Sequence, residues 1–186
     1  MRYRLTLPAA LLSVLLTSSA PARTYSSVTM DDTMALGGAT LKLNGMGLRK
    51  KAIFKVYVGG LYVPTPSKKE ADIITPDVPK ALVMHFVRDV GRGKMVEAYQ
   101  DGFNNNAKDK VPKLKSEIAR FLAMVSDVKE DQRIVFTYEP GKGSTVTMPN
   151  GKKETFAGKD FADAYLLVFL GADPPTSDLK NGLMGR

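Results

Sequence analysis

The chain lacks cysteine altogether, has one histidine (His85), and has no apolar run long enough to cross a bilayer as a helix. Without cysteine no disulfide can staple the fold, and no thiol can serve as nucleophile or metal ligand. A lone histidine removes zinc clusters and the usual histidine-based triads. Asp31-Asp32 does not replace them as a metal site, because adjacent residues on a strand point to opposite faces, so the pair reads as turn chemistry. No metal and no cofactor is expected. A nucleic-acid module is missing too, and no basic stripe interleaves with aromatics, although 27 basic side chains face 19 acidic ones for a net charge of +8. The excess is spread over Lys50, Lys51, Lys68, Lys69, Lys108, Lys110, Lys113, Lys115, Lys152 and Lys153. It reads as solvated surface charge, with weak affinity for an anionic membrane surface or for acidic ligands as the alternative.

What is present fits one domain behind a leader. With 186 residues and 44% hydrophobic content, the chain can fill a single core. Residues 1–22 have the layout of a secretory signal peptide: Arg2 and Arg4, an apolar run from Leu5 to Leu16, then Ala20-Pro21-Ala22 for cleavage. That run is roughly a dozen residues, against the ~20 that a membrane-spanning helix needs. A retained anchor is the alternative. The expected division is a leader over 1–22 and one domain over 23–186, exported to the periplasm or secreted.

Along the domain, Gly37-Gly38 precedes alternating Leu41 and Leu43, which predicts a hairpin. Ala81 to Val87 is apolar on both faces and predicts a strand in the middle of a sheet. Met95, Tyr99 and Phe103 recur at spacing four, so 91–106 reads as a helix, and a second is predicted over 112–125 with Pro112 in its first turn. Ile134 to Tyr138, Thr145 to Met148 and Lys153 to Phe156 read as a strand meander, with Asn150-Gly151 as the strongest hairpin signal. Asp160 to Leu170 reads as a last long helix, followed by a short capped turn at Ser177 to Lys180. Gly-Lys-Gly-Ser-Thr at 141–145 lacks the spacing of a phosphate loop and has no helix after it. Arg88 beside Asp89 reads as a local ion pair. Strands followed by helices and a closing meander suit an α+β fold, with helices on one face of an antiparallel sheet.

The stretch Asn44 to Val63 carries most information. Gly45 and Gly47 suggest a tight turn before Arg49. Ile53 to Val58 is β-branched or aromatic except for Lys55. If the strand runs unbroken back to Arg49, then Arg49, Lys51, Ile53, Lys55 and Tyr57 share a face. Gly59-Gly60 reads as a bulge or a close backbone approach. An arginine beside an aromatic hydroxyl and an apolar wall can hold the anionic end of a greasy molecule. The plainer alternative is a salt bridge from Arg49 that ties down the glycine turn, with Tyr57 and Tyr99 in ordinary packing.

These residues carry a resemblance. Gly45-x-Gly47-x-Arg49, Lys55-Val-Tyr-Val-x-Gly-Leu-Tyr-Val63, His85-Phe-Val-Arg-Asp-Val90 and the tail Pro-Pro-Thr-Ser-Asp-Leu-Lys-Asn-Gly-Leu-Met-Gly resemble the chalcone isomerase family, most closely its bacterial chalcone isomerase-like branch. The resemblance implies an open-faced β-sandwich with the ligand between sheet and helices. In the plant enzymes an arginine, a threonine, a tyrosine and an asparagine promote ring closure. By motif these fall on Arg49, Tyr57, and positions near Gly91 and Ala98, so three of four depart from the catalytic pattern. The resemblance therefore implies a non-catalytic carrier of a lipophilic, fatty-acid-like anion, with Arg49, Tyr57, Tyr99 and more remotely Thr155 as ligand-binding residues. An isomerase (intramolecular lyase) with a rearranged site is the alternative, and a structural or partner-binding role is a third. The oligomeric state is left open.

Overall fold

The computed structural model describes residues 21–186. Apart from Pro21 and Ala22, the leader expected over 1–22 lies outside the described residues. A short hairpin, β1 (Ala22–Tyr25) and β2 (Val28–Asp31), precedes a seven-stranded antiparallel sheet. Its strands lie side by side in chain order: β3 (Thr33–Leu36), β4 (Ala39–Lys51), β5 (Phe54–Val63), β6 (Lys80–Phe86), β7 (Arg133–Glu139), β8 (Gly143–Thr147) and β9 (Lys153–Phe156). Helix α1 (Glu70–Ile74) joins β5 to β6, and α2 (Arg92–Asn106) and α3 (Lys115–Met124) join β6 to β7. Helices α4 (Asp160–Leu170) and α5 (Ser177–Leu183) follow β9. This is the expected α+β, open-faced arrangement.

The two faces of the sheet bury different partners. On one, Leu82, Met84 and Phe86 of β6 pack with Tyr99 and Phe103 of α2, Phe121 of α3, and Phe161 and Tyr165 of α4. On the other, Leu41, Leu43, Val58, Tyr62 and Val83 pack under Val28 and Met30 of the leading hairpin. Strand β6 is the fourth of seven, with Ala81 and Val83 facing one core and Leu82, Met84 and Phe86 the other. Its two-sided apolar pattern is that of a central strand. Gly37 and Gly38, both at positive φ, make the turn from β3 to β4.

The central stretch differs from the expected geometry in three ways. Gly45 and Gly47 do not turn the chain, because both lie inside β4. The turn falls at Ala52-Ile53, with Lys51 opposite Phe54. Arg49 and Tyr57 therefore share a face as cross-strand partners, not as members of one unbroken strand. Of the two readings of Gly59-Gly60, a bulge or a close approach, the bulge is absent, since Gly59 pairs with Gly47 and Gly60 with Met46 in regular register, while a Cβ on Gly60 would stand 2.3 Å from the Met30 sulfur. The irregularities sit between Leu43 and Gly45 and between Arg49 and Lys50. Asn44, the residue skipped at the first, donates through Nδ2 to the Leu183 carbonyl (2.7 Å) and accepts from the Ser67 N–H (2.7 Å).

The glycines of β4 form a seat for α5. A Cβ on Gly45 would stand 2.1 Å from the Gly182 carbonyl oxygen, and one on Gly47 would stand 2.2 Å from that of Leu179. One on Gly182 would meet the Met46 carbonyl at 2.4 Å. Backbone lies directly on backbone, which only hydrogen side chains allow. Helix α5 runs further than the expected turn, to Leu183, because Leu179 and Leu183 are fully buried. Thr176 Oγ1 caps it by accepting the Leu179 N–H at 3.2 Å. Helix α3 starts at Lys115 rather than Pro112. Residues ahead of it are held in separate turns, with the N–H groups of Lys110 and Lys113 bonded to the carbonyls of Ala107 and Lys110.

Among the described residues no helix is long and apolar enough to cross a membrane. One lysine is fully buried: Lys80 Nζ donates to the carbonyls of Ile74 (2.9 Å) and Pro76 (2.8 Å). Burial, and then the neighbouring Lys159 charge, lower its pKa to about 8.

The glycine seat makes a direct prediction. Gly47→Ala forces a methyl into the α5 backbone and should cost about 1–3 kcal/mol, the usual range for overpacking. Gly93→Ala, in α2 with nothing within 4 Å of the added carbon, should stabilise by roughly 0.5–1 kcal/mol through helix propensity. Paired chemical melts check both. Equal stability of Gly47→Ala and the unmodified chain would contradict the seat.

Candidate functional site

The glycine seat sets α5 at one end of the helical layer, and the helices α2 and α4 leave a cavity of about 370 Å³ between themselves and the sheet. Its volume lies at the lower end of the range for small-molecule sites. The buried wall is apolar and aromatic: Met84 of β6, Met95 and Tyr99 of α2, and Val168 and Phe169 of α4. Tyr57 and Arg49 close it on the sheet side. The rim carries Lys51, Phe54, Arg88 and Asp89 from the sheet and the loop after β6, and Lys94, Glu97 and Asp101 from α2. A smaller recess of about 190 Å³ shares Arg49, Ala98 and Pro175 with it.

Arg49 is the unusual member. It joins none of the ion pairs among the described residues. Its Nε is buried with no hydrogen-bond partner. The salt bridge that would have tied down a glycine turn is therefore not formed. A buried donor left unpaired costs about 1–3 kcal/mol, and a guanidinium presents its donors in a fixed fork suited to a carboxylate.

The tyrosines stay protonated beside it. Burial pushes the Tyr57 hydroxyl well above the ordinary tyrosine range, with the Arg49 charge as the opposing influence. Tyr99 is raised mainly by burial and further by Tyr165, again against Arg49. The Tyr99 and Tyr165 hydroxyls lie 3.1 Å apart, and Tyr99 also donates weakly to the Met84 sulfur at 3.8 Å. The Tyr57 ring leans on Phe86 with centroids 5.3 Å apart, and that of Tyr165 stacks on Phe136 at 4.3 Å. The lining of the cavity thus offers a guanidinium and neutral hydroxyl donors. The rest offers apolar wall. Such a set can hold an anionic head with an apolar tail.

Of the sequence-derived site residues, Arg49, Tyr57 and Tyr99 are brought together at this cavity. Thr155 is not. It sits on the edge strand β9, exposed, with its hydroxyl 2.9 Å from that of Thr145. The positions carried over by motif, Gly91 and Ala98, do line the cavity beside Arg49 and Tyr57, so the alignment located the place while the side chains there bring neither hydroxyl nor amide. Arg88 and Asp89 do not pair with each other as expected. Asp89 binds Lys129 Nζ at 2.7 Å and the Glu130 N–H, and the Arg88 guanidinium lies over the Phe54 ring, 4.6 Å from its centroid. Sequence reasoning missed Met84 and Phe169 as cavity wall. Periodicity assigns them to core, and nothing in spacing separates core from cavity lining.

Among the described residues, no group of three or more His, Cys, Asp or Glu could hold a metal ion. No protein with a curated function matches the chain. Among solved structures it is similar to a fatty-acid binding protein of Arabidopsis thaliana, at 16% identity and a TM-score of 0.64, over 89% of this chain and 97% of that one. At that identity the likeness concerns the fold. The family model described as chalcone isomerase-like matches residues 22–185. With that match over nearly the whole described chain, and a fold that agrees with it, the protein belongs to the chalcone isomerase-like family.

Proposed function

We propose that this protein is a non-catalytic binder of a small lipophilic anion, a fatty acid or a close chemical relative. The single observation that carries the reading is Arg49: a half-buried guanidinium at the wall of an apolar cavity, its Nε without a partner. An anionic head against Arg49 supplies the missing acceptor, and Tyr57 is placed to donate to the same group. The chain of the ligand lies along Met84, Met95 and Phe169. The Arabidopsis fatty-acid binding protein, with a similar fold, supports this ligand class.

The alternative, ring closure of chalcone type, has the converging Arg49, Tyr57 and Tyr99 in its favour. Acceleration requires groups that grip the transition state more strongly than the substrate. Gly91 and Ala98 supply none. Export through residues 1–22 completes the proposal and places binding in the periplasm or outside the cell.

Arg49→Met should weaken binding of a fluorescent fatty acid by roughly 1.5–3 kcal/mol, the worth of a charge-assisted hydrogen bond. Arg49→Lys should recover part of that, since an ammonium lacks the fork. Because Arg49 joins no ion pair among the described residues and its Nε has no partner there, unliganded melting should be unchanged or slightly higher in Arg49→Met. A lower melting temperature with unaltered binding would make the residue structural. A hydroxylated chalcone should show no turnover above background in a spectrophotometric assay, and efficient turnover lost in Tyr57→Phe would establish the isomerase instead. N-terminal sequencing of the protein recovered from its own cells should begin near Arg23. An intact Met1 in a cytosolic fraction would remove the export claim.

A further inference from the structure

The turn between β4 and β5 presents apolar side chains to solvent where a hairpin tip ordinarily carries polar ones. Ile53 is 86% exposed and Phe54 54% exposed, the largest exposures of any big apolar side chains among the described residues. Ala52, beside them, holds φ at +53°, a conformation that costs a non-glycine residue energy and that persists where surrounding structure imposes it. The tip is also held from outside, since Phe54 lies under the Arg88 guanidinium.

The charges that the two strands carry at the tip are of one sign, and the nearest carboxylate of the shared rim, Asp89, is paired with Lys129. Lys50 and Lys55 stand directly opposite each other across the two strands, an arrangement that destabilises a hairpin in water. Lys51 pairs with Phe54 in the register one step nearer the turn. None of Lys50, Lys51, Lys55 or Arg88 joins an ion pair among the described residues. Two apolar side chains ringed by four cations that join no ion pair among the described residues are complementary to a surface that is apolar within and anionic at its boundary. A second copy of this chain would bring the same cations against each other. Phe54, Lys51 and Arg88 also form part of the cavity rim, so whatever the tip touches lies against the mouth.

From this we infer that the β4–β5 tip is a docking element for an anionic phospholipid bilayer, with Ile53 and Phe54 in the interface and Lys50, Lys51, Lys55 and Arg88 on the headgroups. Amphipathic elements bind such interfaces through buried apolar area together with attraction to anionic lipid. Docking turns the cavity mouth toward the bilayer. Exchange of the bound anion with the membrane rests on the cavity reading above, whereas docking itself does not.

The chain has no tryptophan, so Phe54→Trp provides a single reporter at the tip. Without added fatty acid, its emission should shift to the blue on mixing with phosphatidylglycerol–phosphatidylcholine vesicles and should be quenched by brominated acyl chains. With phosphatidylcholine alone neither should occur. Lys50→Gln with Lys55→Gln in the same background should weaken the response by about fivefold per lysine replaced. Ile53→Ser should weaken it without altering the fatty-acid affinity measured in solution. An unshifted emission with anionic vesicles overturns the inference, as does a shift that grows with protein concentration in the absence of lipid, which would mark contact between copies. Vesicle docking by a protein that binds no fatty acid would leave the docking element standing and remove only the cavity reading.

Discussion

The geometry of the site depends on one irregularity in the β4–β5 ladder. The turn pairs Lys51 with Phe54 and Lys50 with Lys55, and a regular continuation would set Arg49 opposite Val56. The shift between Arg49 and Lys50 leaves Val56 unopposed and sets Arg49 against Tyr57 instead. Directly opposed residues share a face, so this one extra residue aims the cation and the hydroxyl into the same cavity. The second shift, at Asn44, restores the register needed further along. It keeps Leu43 and Tyr62 on the hairpin-covered face while Gly45 and Leu61 face the helices. A slip of one residue would turn each side chain to the opposite face.

Much of the fold was legible because its signals were periodic. The two-sided apolar run of β6, the four-residue spacing in α2 and Asn150-Gly151 each have one dominant physical reading, and each appears where its pattern puts it. Glycine was harder to read. Gly45 and Gly47 have the composition of a turn, yet their function is contact with a helix more than a hundred residues later, which no local pattern reveals. The face shared by Arg49 and Tyr57 was legible, but through a pairing that local reading could not supply. Thr155 shows the opposite limit, since a hydroxyl on a strand carries no mark of which end of the sheet it occupies.

Arg49 and Lys80 are two buried or half-buried cations handled in different ways. Lys80 has carbonyl acceptors from the α1 turn and lies wholly within protein. Its cost is local and structural, expressed in a lowered pKa. The Arg49 Nε has no acceptor among the described residues. The contrast singles out Arg49 as the candidate better than burial does, because a donor unsatisfied by the described residues at the wall of a cavity is available to something else.

The α5 seat has a consequence for how the chain reaches this structure. Every neighbouring pair of strands in the seven-stranded sheet is consecutive in sequence, so most pairings close over short or moderate distances. Asn44 and Leu183, whose hydrogen bond fastens the seat, are 139 residues apart. Loop-closure entropy grows with such separation, and folding slows as distant contacts take a larger share. The meander can therefore assemble before the seat is filled. Until then the glycine track of β4 is bare backbone on the helix-facing side, and the wall containing Pro175, which leads into α5, is unfinished. The wall of the cavity that holds Pro175 is thus finished by a contact between residues 139 apart, so the cavity takes its full shape late in folding.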